Sequence, residues 1–169
     1  MTEYEYREAR VGDAAALFEF GKLLLAETSL MLLLPEERAR SVDDMRFVIE
    51  KFIEMPRHFL VNAWAGDEVV GEALCMAGQF SRNRDCGRVG VGVLQAHNGK
   101  GVGRQLMAEI EAHARSAGVH RIELTVMAHN ARAKRLYDAM GYFEEGLNRD
   151  SLYIDGRFVD EIMMAKLLD

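Results

Sequence analysis

Asn98, Gly99, Lys100, Gly101, Val102, Gly103 and Arg104 put three glycines at alternate positions, with two cations among them, between an apolar run ending near Leu94 and a helical pattern starting near Gly101. Glycine is required where φ is positive or where a ligand must approach the backbone closely. The start of a helix carries unpaired N–H groups and partial positive charge. A strand turning into a helix through this stretch is therefore a candidate phosphate cradle. The amides of Gly99, Gly101 and Gly103 are its donors, and Lys100 and Arg104 add direct charge. The spacing excludes the two commonest nucleotide loops: G-x-G-x-x-G would need a glycine at Arg104 or at Leu106, and no G-x-x-x-x-G-K-[ST] is present. A tight strand-to-helix turn is the plain structural alternative, although one glycine would serve it.

A second group follows at Asn130, Ala133, Leu136, Tyr137, Gly141 and Tyr142. Asn130 and Tyr137 lie seven residues apart, about two helical turns, so they share a face. Taken alone, Asn130 reads as an N-cap and Tyr137 as core packing beside Leu136. Two carboxylates stand in apolar surroundings, Glu72 and Glu27, and either is a candidate base. Their plainer readings are the outward face of a strand and a helix surface. His97 reads as a loop residue, and the five histidines show no metal-ligand spacing, so no metal site is expected.

The elements that must hold these residues follow from periodicity and punctuation. Tyr4 to Arg10 reads as a strand, and Asp13 as the N-cap of a helix with Leu17, Phe20 and Leu24 on one face. Ser41 and Asp44 resemble a capping box before Met45, Val48, Ile49, Phe52 and Ile53, a helix that ends before Pro56. Phe59–Ala65 and Val69–Met76 read as strands around a turn at Gly66, and Val89–Leu94 as the next strand. Val102, Leu106, Ile110 and Ala114 make a helical stripe closed by Gly118. Ile122–Val126 is a strand, Asn130–Met140 a helix closed by Gly141, and Tyr142-Phe143 opens a strand. Asp155-Gly156 signals a hairpin turn into a closing strand over Phe158–Leu167. The order β-α-α-β-β-β-α-β-α-β-β joins an antiparallel front half to a helix-crossover back half. That implies an α/β fold with a mixed sheet.

The 169 residues contain two prolines and no linker or repeat, which fits a single domain over residues 1–169. At 49% apolar residues the chain can bury a core, and its formal net charge of −6 makes it a poor general binder of nucleic acid. Cys75 and Cys86 read as reduced thiols. The start, Met1 to Glu5, lacks a leader pattern, and Leu23–Leu34 falls short of the about 20 residues that span a bilayer. A cytoplasmic protein with no membrane partner is expected.

With both motifs in order, the chain resembles the GNAT superfamily of N-acetyltransferases. The loop matches the family's [Q/R]-x-x-G-x-[G/A] segment after its fourth strand, except that Asn98 stands at the position usually held by Gln or Arg. Asn130, Ala133, Leu136, Tyr137, Gly141 and Tyr142 match its N-x-x-A-x-x-L-Y-x-x-x-G-[FY] segment. The resemblance implies a mostly antiparallel central sheet flanked by about four helices, acetyl-CoA as acyl donor, and direct transfer to a primary amine of an amino acid, a polyamine or a protein N-terminus. It implies that Val91 and Val93 pair with the donor's pantetheine and that the Val93 N–H stabilises charge on the thioester oxygen. It places Asn98, Gly99, Lys100, Gly101, Val102, Gly103, Arg104, Asn130, Ala133 and Tyr137 against the donor. Tyr137 protonates the leaving thiolate, with Glu72 as the candidate base. The partners implied are acetyl-CoA and an amine, with room for a homodimer. A non-catalytic CoA-binding sensor of the same fold is the alternative, and a mononucleotide binder is a third.

Overall fold

A computed structural model describes residues 3–169. Met1 and Thr2, which open the segment read as lacking a leader, lie outside the described residues. Seven strands form one sheet in the order β1-β2-β3-β4-β5-β7-β6. They are β1 (Glu5–Glu8), β2 (His58–Ala65), β3 (Glu68–Ala77), β4 (Cys86–Val93), β5 (Arg121–Met127), β6 (Phe143–Ile154) and β7 (Arg157–Leu167). Four α-helices accompany them: α1 (Ala14–Glu27), α2 (Val42–Glu54), α3 (Val102–Ser116) and α4 (Ala131–Ala139). The element order is the one the periodicity predicts. Every strand pair is antiparallel except β4 with β5.

The sheet is covered on both faces because strands β2 and β3 carry apolar side chains at both parities. On one face Val61, Ala73, Val89 and Ile122 pack against Val102, Leu106, Met107 and Ile110 of α3 and against Tyr137 of α4. On the other, Leu60, Trp64 and Val69 pack against Leu17, Phe20 and Leu24 of α1 and against Met45 and Ile49 of α2. Each stripe recurs at three or four residues, as a helix burying one face requires. Among the described residues no helix is long and apolar enough to cross a membrane.

Several element ends differ from the sequence reading. Asp13 precedes α1 but does not cap it with its side chain. Its carboxylate instead accepts two hydrogen bonds from the Arg7 guanidinium, at 2.7 and 2.9 Å, and one from the Arg10 amide. The chain therefore enters α1 through a short 3-10 turn over Val11–Asp13. Only Glu5–Glu8 of the longer expected first strand pairs with β2. Ser41 caps α2 by accepting from the Asp44 amide at 3.0 Å, as expected. Asp44 reaches back to the Arg40 amide, one residue before the position a capping box uses. The Asp155-Gly156 turn takes positive φ at both residues, +50° and +80°, which a two-residue hairpin loop of the primed type demands.

Candidate active site

The pairing of β4 with β5 stops early. Cys86, Gly87 and Arg88 face Arg121, Ile122 and Glu123, and beyond them the two strands diverge. β4 runs on beside β3 through Val93, while β5 runs on beside β7 through Met127. The Leu94 amide donates to the Val70 carbonyl at 3.0 Å, which fixes the alternation along the β3–β4 ladder. Val93 opposite Gly71 and Val91 opposite Ala73 are consequently the pairs whose backbone groups turn away from β3. Their N–H and C=O groups point into the splay, where an extended ligand can add as a strand would. Their side chains turn toward α3 and pack against its core.

β4 leads through a short 3-10 turn, Gln95–His97, into the glycine loop. Asn98 is extended, Gly99 has φ +73° and Gly101 has φ +82°, and Gly101 is the N-cap of α3. Nothing lies within 4 Å of where a Cβ would stand on either glycine, so the cradle is open to a ligand. Left-handed backbone at Gly99 and Gly101, on either side of Lys100, turns the amides at the head of α3 outward as an anion nest. Gly103 has ordinary helical geometry; a Cβ there would meet Leu136 and Val93 at 3.5 and 3.7 Å. Val102 is fully buried and anchors the loop to the sheet rather than facing solvent. Lys100 is exposed at the rim. Arg104 donates to the Ala139 carbonyl at 3.1 Å, so its guanidinium ties α3 to the C-terminal end of α4.

Through that tie and the Leu136–Gly103 contact, α4 lies alongside the first turn of α3. The Asn130 side chain accepts from the Ala133 amide at 3.2 Å and so caps α4. Tyr137 is 6% exposed, its ring tilted against Tyr142 with centroids 5.7 Å apart. Burial pushes its phenol up to about 12, so the hydroxyl keeps its proton across the neutral range. Behind it, Lys166 Nζ meets Glu111 Oε2 at 2.6 Å and lies 5.8 Å from the centre of the Tyr142 ring.

The two candidate bases are engaged elsewhere. Glu72 lies opposite Asn62 and Gly92 on the α1 face of the sheet. Both its oxygens accept from Arg38 Nη2 at 3.0 Å, and Asn62 donates at 3.4 Å. Gly21 makes this possible: a Cβ there would stand 2.4 Å from Arg38 Nε. The pair docks the connection between α1 and α2 onto the sheet, and Glu72 would have to leave Arg38 to accept a proton. Glu27 accepts from the Gln95 amide while its carbonyl accepts from the Gln95 side chain, which latches the end of α1 to the end of β4. His97 accepts from or donates to the Tyr4 hydroxyl at 2.9 Å.

Beside the splay runs a groove between the α1–α2 connection and the β6–β7 hairpin, which the motifs did not mark. Met127 at the end of β5, Leu33, Leu34 and Tyr153 are among its walls. The signal available in sequence was the leucine run from Leu30 to Leu34: it reads as too short for a membrane, yet Leu32 is 72% exposed and Leu34 55%.

The chain has relatives of matching shape. It is 27% identical to an acetyltransferase of the GNAT family from Streptococcus pneumoniae, with a TM-score of 0.94 over 99% of this chain and 100% of that one. It superposes on yncA, a protein from Salmonella typhimurium solved with acetyl-CoA, with a TM-score of 0.86 at 23% identity over 98% of this chain and 94% of that one. It is 30% identical to the L-amino acid N-acetyltransferase AaaT of Escherichia coli over 70% of this chain and 74% of AaaT. It is 28% identical to the uncharacterized N-acetyltransferase YycN of Bacillus subtilis over 57% of this chain, and 35% identical to the ribosomal protein uS5 alanine N-acetyltransferase of Escherichia coli over 46%. Those two matches span 63% and 40% of the relatives' own lengths. The Acetyltransferase (GNAT) family profile matches residues 25–142, which takes in the splay, the glycine loop, α4 and the Arg38–Glu72 pair, and the chain belongs to that family.

Proposed function

We propose that residues 1–169 act as one domain that transfers the acetyl group of acetyl-CoA directly to a primary amine bound beside the β4–β5 splay. The observation that carries this reading is the divergence of β4 from β5 directly ahead of the glycine loop. A free strand edge, an anion nest and a protonated phenol on α4 succeed one another along the chain. That order fits a long donor with a peptide-like arm and a pyrophosphate.

The donor supplies an activated acetyl thioester when bound. Val91 is proposed to pair with its amide arm, and the Val93 N–H to donate to the thioester carbonyl oxygen as charge develops there. Gly99, Gly101 and Gly103, with Asn98, Lys100 and Val102 forming the rest of the loop, are proposed to receive the pyrophosphate through their amides. Arg104, Asn130 and Ala133 hold α3 and α4 in place beside it. The amine nitrogen forms its bond to the acetyl carbon, and the carbon–sulfur bond breaks with its electron pair on sulfur. Tyr137 gives that sulfur a proton, and the proton lost by the nitrogen returns to solvent and restores the phenol. Glu72 is assigned to docking the α1–α2 connection through Arg38, so the ammonium of the bound amine gives up its proton to solvent before the nitrogen attacks.

Thiol release from acetyl-CoA across an amine panel tests the reading. Release that depends on an amine supports it. Tight binding of acetyl-CoA without release for any amine would favour the sensor alternative, and binding of ATP but not CoA would favour a mononucleotide site.

A further inference from the structure

The groove next to the splay is selective in the charges it offers. It spans about 740 Å³ and opens at the C-terminal ends of α1 and β5, the same end of the sheet as Val93. Among the described residues its charged lining is Glu27, Glu37 and Asp155, with no Lys, Arg or His. Most of the remaining wall is aliphatic or aromatic, and much of that apolar surface stands in water: Leu32, Leu33, Leu34 and Tyr153 are all exposed. Glu27 and Glu37 are fixed in position by the amides of Gln95 and Leu34, which they accept from. Among the described residues its neutral side-chain donors are the hydroxyls of Thr28, Ser29 and Tyr153.

Each class of amine meets this surface differently. An ammonium is favoured near three carboxylates, and an apolar body covers leucine surface that is otherwise hydrated. A free amino acid brings a carboxylate next to its amine. That group would lose water beside like charges with no cation to receive it. A polyamine would pair its cations with the carboxylates but leave most of the leucine and tyrosine surface hydrated, and a peptide would bring carbonyls that few donors can meet. We infer that the acceptor is a small primary amine with an aryl or branched alkyl body and no carboxylate. This inference rests on the acetyl-transfer reading for its chemistry but concerns the groove alone.

The test is calorimetry on the full chain in the presence of CoA, with tyramine against tyrosine, isoamylamine against leucine, and spermidine and leucyl-glycinamide as further arms. The two carboxylate-free amines are expected to bind at least about tenfold more tightly than their amino acids and than either further arm. Asp155→Asn keeps a turn residue suited to positive φ and is expected to weaken tyramine severalfold while CoA affinity holds. Equal or tighter binding of the amino acids, of spermidine or of the dipeptide amide would overturn the assignment, as would no binding by any amine. Thiol release with the same ligands separates the two claims. Amines that bind in the expected order without release contradict acetyl transfer and leave the amine class standing. Release that prefers amino acids contradicts the class alone.

Discussion

Around the β4–β5 splay the groups presented to a ligand are backbone amides, at Val91, Val93, Gly99 and Gly101, whereas around the neighbouring groove they are the side chains of Leu32, Leu33, Leu34 and Tyr153. The first surface is built by dihedral angles and strand register, and in the proposed function it is the one that receives the donor. The second is built by whichever side chains the α1–α2 connection and the β6–β7 hairpin carry. A surface of backbone groups is changed only by substitutions that alter chain conformation, while a surface of side chains changes with each residue. One end of the sheet can therefore keep a donor fixed and still adapt to a new amine.

Substitutions that respect this division should affect one ligand and spare the other. The largest effect is expected for Gly101→Glu, which forces a side chain onto φ +82° and aims a carboxylate into the phosphate cradle. Acetyl-CoA affinity should fall by more than about 100-fold in calorimetry while tyramine still binds, because the cradle supplies no wall of the groove. Tyr137→Phe should lower kcat for thiol release by about 100-fold with KM for acetyl-CoA little changed, since it removes a proton donor and not a binding group. The same phenol sets a pH dependence. Its folded value of about 12 lies above the unfolded value near 10, so the unfolded chain ionises first. The stability it contributes is complete below pH 10 and declines by about 3 kcal/mol as pH rises to 12. Urea titrations at pH 9 and 11 should show a loss that Tyr137→Phe reduces. The smallest effect is expected in the groove: Leu33→Lys should raise KM for an apolar amine about tenfold and leave KM for acetyl-CoA unaltered, by removing one apolar contact and adding a cation that repels the ammonium. Equal effects on both substrates from Leu33→Lys would show that the two surfaces are not independent.

The same division decides how much the sequence revealed. Glycine spacing reports backbone conformation, so the loop was legible, and both Gly99 and Gly101 take the positive φ that their positions suggested. Asn130 and Tyr137 were legible as a pair seven residues apart on one helix face, and Asn130 caps α4 as read. The two buried stripes on α1 and α3 gave the layers. The early end of the β4–β5 pairing was not visible in residues 86–93, because a strand that loses one neighbour keeps its composition. The Arg38–Glu72 pair was missed because its partners are 34 positions apart and its seat is Gly21, a helical glycine that carries no turn signal. Asp13 was misread for a related reason: a nearby guanidinium outcompetes the helix amides for its carboxylate. The groove was hidden because exposure of a leucine run follows from where α1 and the β6–β7 hairpin stand, and periodicity gives neither.

The most direct test is single-turnover thiol release from acetyl-CoA with tyramine, compared between the unmodified chain and Gly101→Glu, with circular dichroism confirming that both are folded. One equivalent of CoA thiol per equivalent of N-acetyltyramine is expected from the unmodified chain, and none above background from Gly101→Glu. Equal release from the two proteins would place the donor somewhere other than the splay and its glycine loop.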